Sequence, residues 1–128
     1  MNLYIYRMPT KAEYWILTKE QFNEIKTQIN ELGENLLNNL QDVGFAKIKS
    51  SNDWLGLTVE RRQGDLLTFV LFSLIRESPK EFGLVLRKWD IKNPSETCID
   101  LYEKRFNHIQ DFVFSFNDEL TLIKEKLS

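Results

Sequence analysis

This chain has very few of the residues that carry most enzyme and metal chemistry. Its 128 residues include one cysteine, Cys98, and one histidine, His108. A single cysteine excludes an internal disulfide and a cysteine-cluster metal site, and it fits a reducing compartment. Because zinc sites are built mainly from histidine and cysteine, a metal site would have to rest on carboxylates. We predict no metal.

Glycine-rich loops and long apolar runs are also missing. The five glycines are scattered and form neither GxGxxG nor GxxxxGK[ST], so families that cradle phosphates on such loops are excluded and we predict no cofactor. The longest apolar segment, 66–75, is too short to span a membrane. The first residues lack a signal-peptide pattern, and we expect a cytoplasmic protein with no membrane partner.

Charge of one sign is not in excess. The chain has 17 basic and 19 acidic residues, a net charge of −2 and a pI near 5.5. No global field would therefore hold nucleic acid or an anionic membrane. The length and the 42% hydrophobic content are typical of one globular domain, 1–128.

The best-marked element is a long helix over about 19–43. Thr18 and Gln21 have the spacing of a capping box, and Gly44 suits the left-handed residue that ends a helix. Gly33 marks a point where the helix could kink or break. The apolar stripe fits packing on the chain's own sheet better than a coiled-coil seam, and its residues are Phe22, Ile25, Ile29, Leu32, Leu36, Leu40 and Val43.

The densest apolar stretch, 54–89, predicts three consecutive strands with turns at 63–65 and 78–80. Its middle segment, 65–76, is apolar on both faces of a strand, although its spacing also fits a helix. We favour the strand because a hairpin-like turn precedes it and strand patterns lie on both sides. Further strands are predicted at 45–50, at 3–8 and, as a short extended piece, at 13–17.

The last third of the chain predicts helices and one ambiguous segment. Ser95 is a candidate N-cap for a helix through about Arg105. Segment 107–116 fits either a last strand or an aromatic-rich helix start. Acidic residues at 117–119 are typical of a helix N-terminus. We therefore predict an α+β fold: an antiparallel sheet of about five strands, covered on one face by the long helix, with further C-terminal helices.

Candidate catalytic groups are few. His108 and Asp111 are three residues apart and could pair, and Cys98 with His108 could in principle form a thiolate–imidazole pair. A surface histidine and an inert thiol explain both more simply. Two sets of acidic residues are candidate oxygen ligands but lack the spacing of a calcium loop: Glu96, Asp100 and Glu103, and the acids of 117–119. An exposed helix face and the acids of a helix N-terminus explain them more simply. We predict no catalytic site.

Basic and aromatic residues lie on neighbouring predicted strands and could form a weak groove for single-stranded nucleic acid. Strand alternation sends Arg61 and Arg62 to opposite faces, which favours an ordinary solvated sheet face instead. The residues concerned are Lys47, Lys49, Trp54, Arg61, Arg62, Arg87, Lys88 and Trp89.

No family motif is recognised, and the leading functional hypothesis is a non-enzymatic protein-binding module. Trp54, Arg62 and Trp89, near strand ends, are the predicted partner contacts, because tryptophan and arginine dominate binding hot spots. The partner would be another protein, and a bacterial immunity protein that neutralises a toxin, such as a basic nuclease, fits best. The alternatives are a secretion or assembly chaperone that acts as a homodimer, a small hydrolase, or a weak single-stranded nucleic-acid binder.

Overall fold

The computed structural model describes residues 17–75, 81–93 and 98–127. Several predictions lie outside these residues: the strand at 3–8, all but the last residue of the extended piece at 13–17, the turn at 78–80, the N-cap Ser95 and the carboxylate of Glu96. The described elements are a first helix, five strands and a last helix. In chain order they are α1 Lys19–Leu40, a 3-10 turn Gln41–Val43, β1 Lys47–Lys49, β2 Gly56–Gln63, β3 Leu66–Leu74, β4 Phe82–Asp90, β5 Ile99–Phe106 and α2 Ile109–Leu127.

The sheet is an antiparallel meander in the order β1-β2-β3-β4-β5. Gln63 faces Leu66 across a two-residue turn, in which Gly64 has the positive φ of 63° that such hairpins require. Segment 66–74 is a central strand, so the strand interpretation is confirmed and the helix alternative is wrong. The predicted α+β class and five-stranded sheet are confirmed.

Helix α1 follows its sequence signals. Thr18 and Gln21 form the predicted capping box. The backbone N–H of Gln21 donates to Thr18 Oγ1 at 3.1 Å, and the backbone N–H of Thr18 donates to Gln21 Oε1 at 2.9 Å. Gly44 ends the helical segment with φ 94°. The helix passes through Gly33 without a break, and a Cβ there would collide with the side chain of Leu57 on β2. The glycine therefore permits close helix–sheet packing.

Both helices cover the same face of the sheet. α1 packs on β1 and β2, whereas α2 packs on β5. Phe112 of α2 lies 4.6 Å from Phe72 and 5.2 Å from Phe106, measured between ring centroids. This face holds the main core, which includes Ile29, Leu32, Leu36, Leu40, Leu57, Val59, Val70, Phe72, Leu84, Leu86, Phe112 and Ile123. Neither helix of the described residues is long and apolar enough to cross a membrane.

The second face of the sheet carries no helix among the described residues. Its core is a small cluster formed by Trp54, Leu71, Ile75 and Val85. The Trp54 ring lies so close to Gly56 that a Cβ added there would be 2.6 Å from Trp54 Cε2. Trp54 thus closes the end of this face where β2 begins.

Lys26 of α1 fastens the loop between β1 and β2. Its ammonium group donates to Ser50 Oγ at 2.6 Å and to the carbonyl oxygens of Ser51 and Trp54, each at 2.7 Å. Burial lowers the pKa of Lys26, because these acceptors carry no charge that would offset its desolvation. This loop leads directly into β2 and orients the Trp54 ring.

The helix predicted from Ser95 to about Arg105 is wrong, because residues 99–106 form the edge strand β5. β5 pairs with β4, and the register shifts where Leu86 faces Tyr102 and Arg87 faces Asp100, leaving Leu101 as an extra residue. The bulge lets Leu101 and Tyr102 both pack on the main core. Two consecutive residues on the same side of a strand give the sequence an apolar spacing like that of a helix. Pairing with β4 overrides that local preference.

The C-terminal helix begins earlier than predicted. α2 runs from Ile109, so the strand alternative for 107–116 is wrong and the acids of 117–119 lie in the middle of the helix. Phe112 is fully buried and Phe116 half-buried, four residues apart, while Phe114 is 84% exposed. The alternation of three phenylalanines was therefore not a strand pattern.

Candidate functional site

Arg62 and Trp89, two of the three predicted partner contacts, lie in one row across the second face. Arg62 faces Leu67 on β3, and Leu67 faces Trp89 on β4. Residues opposed in this way have side chains close enough to form a single surface. Arg62 is exposed, and Leu67 and Trp89 are half-buried. The row therefore presents a cation, an aliphatic side chain and an indole side by side.

This row forms the floor of a groove of about 450 Å³. β1 begins only at Lys47, opposite Glu60, so β2 continues beyond it and Gly44 and Ala46 border the groove there. Arg61 therefore lines the groove together with Arg62, although strand alternation separates them. The charged lining residues are Lys47, Lys49, Glu60, Arg61 and Arg62, and the larger apolar ones are Leu67, Trp89 and Ile91.

The charges in this groove do not cancel. Glu60 is the single carboxylate among the lining residues, and Lys49 Nζ lies 3.2 Å from its Oε1. The Glu60 side chain is 11% exposed, so this pair is partly shielded from water. Lys47, directly across from Glu60, has no ion pair among the described residues and is exposed. The groove thus keeps a positive charge in a chain whose net charge is −2.

The guanidinium group of Arg61 is held in a defined orientation. Its Nη1 donates to the carbonyl oxygen of Val43 at 2.8 Å, and its Cζ lies 5.6 Å from the centroid of the Phe45 ring. Its Nε is buried and has no hydrogen-bond partner among the described residues. Arg61 is therefore a fixed part of the groove wall, and its buried Nε is not accessible to a ligand.

Trp54, the third predicted partner contact, does not line this groove and is buried. It is 5% exposed and packs on Leu71, Ile75 and Val85 at the opposite end of the second face. Strand ends are exposed only where nothing packs over them, and here the Trp54 ring covers Gly56. Its Nε1 is buried without a partner among the described residues.

The other predicted basic residues are divided between surfaces. Arg87 lies one row away, where its Nε donates to Asp100 Oδ1 at 2.7 Å. Asp100 therefore belongs to an ion pair between β4 and β5, not to a helical carboxylate face. Lys88 faces Thr68, on the side that carries the helices.

His108 lies at a second cavity, of about 510 Å³, between the first turns of α1 and α2. The imidazole is exposed, and it is the backbone N–H of His108 that donates to Asp111 Oδ2, at 3.2 Å. Cys98 lies beyond the far end of β5, which at its ordinary rise separates the two residues by about 26 Å. The Cys98–His108 pair is therefore excluded, and the cavity contains no base–nucleophile contact between described residues.

Among the described residues the most enclosed charged group is Glu119 on α2, which the sequence analysis named only among the acids of 117–119. Its carboxylate accepts hydrogen bonds from Tyr102 Oη at 2.6 Å and from Lys104 Nζ at 2.7 Å. Burial of the Tyr102 ring, followed by the hydrogen bond and the charge of Glu119, raises the pKa of Tyr102. Among the described residues no three acidic, histidine or cysteine side chains are grouped so as to hold a metal.

The sequence identified Arg62 and Trp89 but missed the residue between them. The Gly64–Asp65 turn alone would have given the Arg62–Leu67 pair, because a two-residue hairpin fixes the register. The Leu67–Trp89 pair depends on how β3 and β4 align. The connection between these strands is longer, and its sequence carries no local signal of that alignment. Comparison of the chain with protein families, with curated proteins and with solved structures found no significant match.

Proposed function

We propose that this protein is a non-enzymatic module that binds another protein through the Arg62–Leu67–Trp89 groove. The observation that carries the proposal is the row itself, since tryptophan and arginine supply most binding energy in protein interfaces. Leu67 faces Trp89 across the two strands and both side chains are half-buried, so the indole needs little further ordering when a partner docks. Both residues come from strands, which position side chains more rigidly than loops do.

Within this class we propose an inhibitor of the immunity type, which neutralises a partner by occupying its surface. A rigid sheet face suits such a role, because it can dock without large rearrangement. A cytoplasmic location and a bacterial source are part of the same proposal. The groove is basic, however, so the partner's contact surface would differ from the basic nuclease cleft that the net charge first suggested.

The experiment that tests the proposal combines a cross-linker with affinity measurement. A photoreactive amino acid at position 46, at the border of the groove, should cross-link one protein in source cells, and the same amino acid at position 114 should not. With that protein purified, Arg62→Ala together with Trp89→Ala should raise the Kd about 30-fold or more, as expected for two hot-spot residues. Phe114→Ala is the matched control, because Phe114 is exposed on the other side of the sheet. An unchanged Kd in the double variant contradicts the proposal.

A second candidate is a dimeric chaperone, which the outer side of α2 favours. Phe114 is 84% exposed and its neighbour Val113 is 41% exposed, and exposed apolar patches of this kind occur at protein contacts. If α2 forms the dimer, the wild-type mass in sedimentation equilibrium should be that of a dimer, and Phe114→Ser should yield a monomer. A monomeric wild-type chain over the whole accessible concentration range contradicts this candidate.

A further inference from the structure

The cations that line the groove outnumber its one lining carboxylate, so a single ion pair cannot neutralise them all. Lys49 is engaged with Glu60. Arg62 donates its Nε hydrogen to the carbonyl oxygen of Gly64 at 2.9 Å, which fixes the side chain and leaves its terminal nitrogens for a ligand. Lys47 is exposed and has no ion pair among the described residues, whereas Arg61 is held against the groove wall by its hydrogen bond to the Val43 carbonyl oxygen. A ligand with acceptor oxygens would meet two available cations, Lys47 and Arg62.

We infer that the groove binds an acidic peptide segment of the partner, in which carboxylates flank one apolar side chain. This inference rests on the proposed protein-binding function and adds the chemistry of the partner. The carboxylates lie against Lys47 and Arg62, and the apolar side chain lies on Leu67 and Trp89. Arginine is suited to this role because its planar fork can bind both oxygens of a carboxylate.

The apolar half of the groove favours a peptide over a nucleic acid. Single-stranded nucleic acids bind along several aromatic side chains that stack successive bases. Among the lining residues Trp89 is the one aromatic, and its neighbours Leu67 and Ile91 are aliphatic. The net charge of −2 also opposes a polyanion of high charge density, while a short acidic segment interacts mainly with the local cations.

Synthetic peptides test the inference directly. The probe is a fluorescein-labelled peptide with a central leucine flanked by aspartates and glutamates, and its matched control has asparagines and glutamines instead. Fluorescence anisotropy should show a Kd at least about tenfold lower for the acidic peptide, a difference of about 1.4 kcal/mol. Its affinity should fall as salt is added, because the contacts are partly exposed.

Variants assign the binding to the groove. Arg62→Glu should weaken the acidic peptide at least about tenfold and strengthen a lysine-containing copy, because the sign of the contact is reversed. Arg62→Gln removes the charge without reversing it and should give an intermediate Kd, provided that circular dichroism shows unchanged folding. Lys92→Glu, in the exposed turn after β4, controls for a general change in net charge. Equal effects of Arg62→Glu and Lys92→Glu contradict the inference.

The remaining outcomes separate this inference from the proposed function. If the cross-linked partner segment is neutral or basic but Arg62→Ala with Trp89→Ala still raises the partner's Kd, the acidic-segment inference fails alone. If the acidic peptide binds the groove but the double variant leaves the partner's affinity unchanged, the proposed function fails. If labelled single-stranded DNA binds through Arg62 and Trp89 while the acidic peptide does not, both are overturned.

Discussion

Tyr102 donates its hydroxyl hydrogen to the buried carboxylate of Glu119, with 2.6 Å between the two oxygens. The contact joins β5 to α2, and Lys104 completes it by donating to the other carboxylate oxygen at 2.7 Å. The Glu119 side chain is 1% exposed and Lys104 is 45% exposed. The carboxylate is therefore enclosed, whereas its cationic partner still reaches water.

This contact makes stability depend on pH in the alkaline range. The folded state raises the pKa of Tyr102 above its ordinary value of about 10, through burial first and Glu119 second. A raised pKa contributes stability that is complete below about pH 10 and is lost above it, because only the unfolded chain then releases the proton. Urea unfolding at about pH 8 and about pH 11 should show this loss in the wild type and a smaller one in Tyr102→Phe. Parallel pH profiles for the two proteins would contradict the prediction.

Glu119→Gln should lower the free energy of unfolding by about 2 kcal/mol, because hydrogen bonds to a charged group are among the stronger ones. The loss should not reach that of a fully buried broken ion pair, since Lys104 can be rehydrated. Asp118→Asn is the matched control, because Asp118 is the exposed neighbour on the same helix. Its effect should stay within about 0.5 kcal/mol. Equal losses in the two variants would show that the Glu119 contacts contribute nothing.

Lys26→Met should destabilise the protein by about 2 kcal/mol and loosen the loop at 50–54. Methionine keeps the aliphatic stem but removes the donors to Ser50, Ser51 and Trp54, and the unmade hydrogen bond to the partly buried Trp54 carbonyl is the costly one. Hydrogen exchange should rise at the Trp54 amide, which donates to Ser51 O at 3.3 Å. Lys19→Met, on the exposed first turn of α1, should leave that exchange rate unchanged. Equal hydrogen-exchange rates at Trp54 in the wild type and both variants would show that Lys26 does not hold this loop in place.

The sequence predicted α1 and the central strands correctly because each has a complete local signal. The Thr18–Gln21 capping box and the apolar stripe define α1 without help from tertiary contacts. β2 and β3 are joined by a two-residue turn at Gly64, so their pairing follows from spacing. In these elements the local preference and the packed structure agree, which is the condition under which a pattern predicts a fold.

The errors occur where tertiary contacts override a local pattern. At β5 the extra residue Leu101 breaks the strand alternation, so the segment resembles a helix until β4 pairs with it. In α2 a glutamate occupies a buried position of the apolar stripe, because Tyr102 and Lys104 satisfy its carboxylate. That charged residue concealed the helical period. Only the contacts with Tyr102 and Lys104 in the folded protein explain why a glutamate occupies this buried position.

The candidate site was half predictable for a related reason. Arg62 and Trp89 were selected by residue type and by position near strand ends, and both line the groove. Trp54 met the same criteria but is buried, because the side chain that follows a loop can turn over its own sheet. Whether the Trp54 side chain is exposed depends on the direction in which it packs, and no local sequence pattern specifies that direction.

The close approach of Trp54 to Gly56 gives the last prediction. A Cβ on residue 56 would lie 2.6 Å from Trp54 Cε2, 2.8 Å from its Cζ2 and 2.6 Å from Ser73 Cβ. The ring cannot yield easily, since Leu71, Ile75 and Val85 pack around it. Gly56→Ala should therefore cost about 1–3 kcal/mol, as overpacking generally does, although alanine suits a strand better than glycine.

A double-mutant cycle separates this clash from a backbone effect. Trp54→Phe removes the six-membered part of the indole that would meet the new methyl group, and it also removes an indole N–H that has no partner among the described residues. If the clash with the ring is the cause, Gly56→Ala should cost less in the Trp54→Phe background than in the wild type, measured by urea unfolding. Strictly additive losses would assign the cost to Ser73 or to the backbone of β2. The ring would then be a neighbour of Gly56 without being the reason for the glycine.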